Sequence, residues 1–190
     1  MQRFVVVAMA MAVISGCVAA PPSVPSTSSP SSPASASPPV RREPTVRVWH
    51  GDLSRVNTVE GPANEWGRQS ARLFATFKEG QLPAYTILFI STYDGEWRFY
   101  QAAVDEHGTE HSVLPRNRQV IGCPGRGAGC TLREAVDIVF SRAQLDAART
   151  SELRFKVYGQ GETEIVTYPG SAIEAVLARV DQLMAARSPG

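Results

Sequence analysis

Residues 152–177 read ELRFKVYGQGETEIVTYPGSAIEAVL, and this stretch decides the fold class. Leu153, Phe155 and Val157 alternate with Arg154, Lys156 and Tyr158, the period of two that a half-buried strand requires. Gly159-Gln160-Gly161 supplies a turn, and Thr163 to Tyr168 returns as a second strand. Pro169-Gly170 stops it. From Ser171, the residues Ile173, Val176, Leu177, Val180 and Leu183 recur at helical spacing and form one apolar face. A hairpin followed by an amphipathic helix predicts an antiparallel sheet with a helix laid over it.

Upstream, Ser141-Arg142-Ala143-Gln144 has the spacing of a capping box and opens a short helix through Leu145 and Ala148. Before it, Leu132 to Phe140 alternates, with Val136, Ile138 and Phe140 opposite Asp137. Further strands are expected at Val46 to Trp49, Ala71 to Phe77 and Tyr85 to Tyr93. Asp94-Gly95 is a tight-turn signal. Glu96 to Val104 is expected to return from it with Trp97, Phe99, Gln101 and Ala103 on one face. A turn at His107-Gly108 leads to a strand near His111 to Leu114. The predicted fold class is α+β, with an antiparallel sheet made of a meander plus the C-terminal hairpin. The C-terminal amphipathic helix and one short helix cover it. The expected organisation is a signal segment at 1–16, a tether at 17–44 and one domain at 45–187.

The N-terminus is of another kind. Arg3 precedes an apolar run from Phe4 to Ile14, which is shorter than the roughly 20 residues a spanning helix needs. Ile14-Ser15-Gly16-Cys17 follows and resembles the lipobox of bacterial lipoproteins. The resemblance implies cleavage before Cys17, a diacylglyceryl group on its thiol and acylation of the new amine. Three acyl chains would hold the protein on the bilayer essentially permanently. An ordinary cleaved signal with a chance cysteine is the blander alternative. Val18 is not the aspartate associated with inner-membrane retention, so the resemblance points to the outer membrane, facing the periplasm. Between Val18 and Pro44 lie eight prolines, eight serines and no aromatic residue, a composition that cannot bury enough apolar surface to fold. Roughly residues 132 to 185 loosely resemble small uncharacterised proteobacterial lipoproteins, which offer no catalytic residue to transfer.

With Cys17 set aside, Cys123 and Cys130 remain around Pro-Gly-Arg-Gly-Ala-Gly. In an oxidising compartment this pair is expected to form a disulfide. A phosphate cradle assisted by Arg126 is a weaker alternative, because the Gly-Lys-Ser/Thr ending of a phosphate loop is missing. A redox role is weaker too, because six intervening residues do not match Cys-x-x-Cys.

Of the 19 basic residues one, Arg3, precedes Cys17, so the remainder balances the 18 acidic ones. That balance gives no general electrostatic reason to bind nucleic acid. Asp105, Glu106, His107, Glu110 and His111 cluster, and His107 and His111 are weak metal candidates; Gly108 between them favours a solvated turn. His50 stands alone beside Gly51 and reads as structural. No nucleophile elbow, metalloprotease helix or dinucleotide fingerprint occurs, so no catalytic residue and no cofactor are nominated. If the strands carrying them are neighbours, Arg98, Tyr100, Arg154, Lys156 and Tyr158 would form a cationic and aromatic stripe. Such a stripe suits an anionic glycan or peptide, although an ordinary solvated sheet face has the same pattern. These readings lead to a lipid-anchored, non-catalytic module whose partners are the bilayer, through Cys17, and an envelope protein or periplasmic polymer. The alternatives are a periplasmic enzyme acting on envelope material, with His107, His111 or Asp137 in a concave site, and a structural part of an envelope or secretion assembly.

Overall fold

The computed structural model describes residues 44–51, 56–78, 81–125 and 129–186. The signal segment, Cys17, nearly all of the tether, Arg126 and residue 187 lie outside the described residues. The elements in chain order are β1 (Arg47–Gly51), β2 (Val56–Glu60), β3 (Asn64–Trp66), β4 (Gln69–Lys78) and β5 (Ala84–Gly95). Next come β6 (Ala102–Asp105), β7 (Glu110–His111), β8 (Val113–Gly122), β9 (Cys130–Phe140) and α1 (Arg142–Ala148). The chain then runs through β10 (Glu152–Tyr158), β11 (Thr163–Pro169) and α2 (Gly170–Ala185). The class is α+β, and every strand pairing is antiparallel. Among the described residues no helix is long and apolar enough to cross a membrane.

The strands form two sheets rather than the one that the sequence suggests. The larger has the order β1-β2-β4-β5-β9-β8, with β3 paired to β4 beside that path; the smaller has the order β11-β10-β6-β7. The divergence begins at Asp94-Gly95, where the sequence predicts a hairpin. Instead β5 continues through Gly95, which pairs with Cys130 of β9. Residues 96–101 then leave the large sheet, and β6 joins β10 in the small one. The anticipated strand face of Trp97, Phe99, Gln101 and Ala103 is therefore not formed. In its place Tyr100 enters the core, and Phe99 adopts φ 49°.

The inner face of the large sheet carries Val59, Leu73, Phe77, Ile87, Phe89, Val136 and Ile138, all buried. Ala103, Leu153, Phe155, Val157, Val166 and Tyr168 of the small sheet belong to the same core. α2 contributes Ile173, Val176, Leu177 and Val180 and packs against β2, β4, β10 and β11. Each such aliphatic side chain stabilises the fold by about 1.5–3 kcal/mol relative to exposure. α2 thus bridges both sheets.

The starts of the two helices differ. Ser141 and Gln144 form the reciprocal capping box expected from their spacing. α2 begins after Pro169 with no side-chain cap; the Gly170 N–H instead donates to the Ser151 carbonyl at 3.0 Å. A β-carbon at Gly170 would press on the carbonyl oxygens of Ser151, Ala148 and Arg149, the last at 2.7 Å. Only glycine lets α2 seat on the turn that follows α1.

β8, which the sequence signals only near His111 to Leu114, is ten residues long and forms one edge of the large sheet. It is exposed from Leu114 to Gly122, and its register slips between Pro115 and Asn117 and again between Val120 and Gly122. Cys123 and Cys130 are disulfide-bonded, closing the β8–β9 hairpin.

Candidate functional site

β10 projects Arg154, Lys156 and Tyr158 onto the exposed face of the small sheet, while Leu153, Phe155 and Val157 point into the core. Alternate residues on a strand stand roughly 6.5–7 Å apart, so the three side chains form a short row. Lys156 lies between Ile165 on β11 and Val104 on β6, and Tyr158 lies between Thr163 and Ala102. Among the described residues, neither the Arg154 guanidinium nor the Lys156 ammonium has a hydrogen-bond or ion-pair partner. Neighbouring acids are Glu152, two places before Arg154 on β10, Glu106, whose N–H donates to the Arg154 carbonyl, and Glu110, which pairs with Val104.

Two hollows flank the row. One of about 160 Å³ is lined by Val104, Glu106, Arg154, Lys156 and Ile165. The other, of about 360 Å³, lies between the β6–β7 turn and the α1–β10 connection and holds His107, Thr109, Gln144, Glu152 and Arg154. Two cations unpaired among the described residues, a phenol and two adjoining hollows are thus gathered on this part of the small sheet.

Arg98 and Tyr100 do not join that row. Tyr100 is only 1% exposed and packs edge-on to Phe89 and Tyr93. Arg98 covers the Tyr93 ring at 4.1 Å and is bonded to Tyr100 and Glu164. Their placement follows from Glu134, an inward-facing carboxylate of β9 that is 1% exposed. Glu134 accepts the N–H of Arg98 at 2.8 Å and of Phe99 at 3.0 Å, the Tyr93 hydroxyl, and the Arg118 Nε at 3.0 Å. Burial alone would raise this carboxyl; the bonds from Tyr93, Arg118 and the two backbone amides outweigh it and hold the group below its ordinary range. One buried acid therefore steers the crossover between the sheets. It also holds Phe99 in the left-handed region, a conformation that costs a bulky residue about 1–3 kcal/mol. The signal in the sequence was an acid at an inward place between Leu132 and Val136.

The acid and histidine cluster forms a turn whose two imidazoles go different ways. Asp105 accepts the N–H groups of His107 at 2.9 Å and Thr109 at 2.8 Å, with Gly108 at φ 81°. The His107 side chain is 80% exposed, whereas that of His111 is 2% exposed. His111 sits 3.3 Å from Asp105 and 3.2 Å from the Val139 carbonyl, against the Phe140 ring. Among the described residues no three His, Cys, Asp or Glu side chains converge to hold a metal. Asp137 is bonded to Arg116 at 3.1 Å, and His50 to Asn57 at 2.7 Å. A separate apolar cleft of about 480 Å³ lies among Leu82, Tyr85, Val139, Val180 and Met184. The ion pair of Arg142 with Asp181, 2.8 Å, stands at its rim.

No protein-family model, no curated protein and no solved structure matches the chain.

Proposed function

We propose that the chain is a membrane-anchored envelope lipoprotein whose folded domain is a non-catalytic module that binds another protein or a periplasmic polymer. The lipobox-like Ile14-Ser15-Gly16-Cys17 and the proline- and serine-rich stretch behind it support the anchor and the tether. One observation carries the binding role: Arg154, Lys156 and Tyr158 stand exposed on one sheet face, the two cations without partners among the described residues, beside two hollows. The resemblance of Ile14-Ser15-Gly16-Cys17 to a lipobox, with Val18 behind it, supports a position on the outer membrane facing the periplasm.

Crosslinking in intact cells, followed by mass spectrometry of what co-purifies, tests this reading. A recurrent partner that is lost from Lys156→Glu and Tyr158→Ala proteins is the expected result. Unchanged recovery from both variants would remove the sheet face from the argument. Replacing Cys17 with Ser is expected to move the protein out of the membrane fraction, and persistent membrane association would sink the anchor. A second reading, an enzyme acting on envelope material, draws on the hollow that His107, Glu152 and Arg154 help to line. Turnover of an envelope polymer that is abolished by His107→Ala would favour it.

A further inference from the structure

We propose that Phe99, Arg118 and Val120 form a second docking point, one that takes a peptide segment of a partner protein bearing an apolar side chain beside a carboxylate. The inference rests on the binding role above but on different residues.

The backbone at Phe99 provides the first argument. At φ 49° glycine or asparagine is at ease and a bulky residue is not. The turn itself therefore gives no reason for an aromatic side chain. The buried carboxylate of Glu134 holds the Phe99 N–H in this conformation, and the residue still remains 37% exposed. Strain maintained at an exposed aromatic group points to a use for the ring.

Arg118 provides the second. Its guanidinium lies 4.6 Å over the Phe99 ring, and its Nε donates to Glu134 at 3.0 Å. Neither Nη group has a partner among the described residues. A guanidinium lying over a ring and bonded through its Nε, with both Nη groups open among the described residues, offers a planar fork matched to a carboxylate. The register of β8 pairs Arg118 with Glu134 and Val120 with Leu132, both inward-facing on β9. Val120 thus shares the face of Arg118 and is 53% exposed.

Aromatic residues and arginine are the types enriched at protein interfaces, and Val120 adds apolar surface beside this pair. Because one buried acid holds both the Phe99 backbone and the Arg118 Nε, less freedom is left to lose on binding. The open fork calls for a carboxylate; Phe99 and Val120 call for an apolar group next to it. A peptide supplies both within two residues, whereas an acidic glycan supplies the first without an aliphatic chain.

The test uses the full-length chain and two pools of fluorescent nonapeptides. One pool carries Asp or Glu next to Leu, Phe or Trp; the other carries Asn or Gln in place of the acids. The acidic pool is expected to bind, measured by anisotropy, and the amide pool to bind about tenfold more weakly. Phe99→Gly, which relieves the backbone, is expected to lose about tenfold in binding without a lower Tm. Val120→Glu, at an exposed position, is expected to lose a similar factor by repulsion. No binding by the acidic pool, or equal binding by wild type and both variants, would overturn the proposal. So would binding of a uronic-acid oligosaccharide in preference to every peptide. If Lys156→Glu abolishes peptide binding while Val120→Glu does not, the peptide sits on the small sheet. This docking point then fails, and the binding module stands.

Discussion

The Tyr168 hydroxyl donates a 2.8 Å hydrogen bond to the Pro62 carbonyl, tying the outermost strand of the small sheet to the link between β2 and β3 of the large one. Burial pushes this phenol up to about 12, so it remains a donor across the physiological range. Tyr168→Phe leaves the carbonyl unpaired and is expected to cost about 1–2 kcal/mol, read as a lower Tm. Gly61 lies under the same contact. A β-carbon there would come within 2.8 Å of the Tyr168 oxygen and of Val176, both buried. Gly61→Ala is expected to cost about 1–3 kcal/mol by overpacking.

Glu134→Gln tests the buried acid. The amide presents its own N–H groups to a site already filled with donors, so a loss of about 3 kcal/mol is expected. The pH dependence has a definite sign. The folded carboxyl titrates below its ordinary value of 4.5, so its contribution is full above that value and is lost as pH falls through the folded one. Chemical denaturation across this acid range is expected to show wild type and Glu134→Gln converging. A constant gap between them would contradict the assignment.

Gly170→Ala is expected to cost about 3 kcal/mol, at the upper end for overpacking, because the obstructing atoms are backbone carbonyls that cannot swing aside. Ser171→Ala, one residue further and exposed, is expected to stay within about 0.5 kcal/mol. Thermal denaturation of the pair separates a steric requirement from helix propensity.

Reduction of the Cys123–Cys130 disulfide is expected to lower stability by about 2–3 kcal/mol, the loop-closure effect for so short a ring. Hydrogen exchange should show the protection lost first at Gly122 and Thr131, the ladder pair beside the bond. Uniform loss across both sheets would mean that the staple acts on the whole domain.

The sequence revealed those elements whose environment is one-sided. β10 alternates because one face is core and the other solvent; α2 shows helical spacing because one stripe meets the sheets. β8 was mostly illegible because almost all of it is exposed, and exposure on both faces erases alternation. β2 was missed because its inward places include Asn57 and its end is the buried Glu60, which bonds Trp49 and Arg72. Segment 96–101 imitates a strand through Trp97, Phe99 and Gln101, whereas Glu134, distant in sequence, takes the Arg98 and Phe99 N–H groups that a partner strand would. For the same reason the alternation in sequence points Arg98 and Tyr100 to a surface, whereas Tyr100 is buried. Arg154, Lys156 and Tyr158 were placed on a common exposed face because strand period alone fixes that.

β8 has one further consequence, for how copies of this protein behave when crowded together. A free edge strand is a template onto which a neighbouring chain can zip, and repetition of that pairing grows fibres. Along β8, Pro115 has no N–H to offer, and an in-register pairing with a second copy would bring Arg116 and Arg118 against their like charges. The two slips in register bend the ladder at Arg116 and Ile121. A second copy approaching this edge finds no uninterrupted run of matching groups, so the protein can be packed densely without polymerising through its longest open strand.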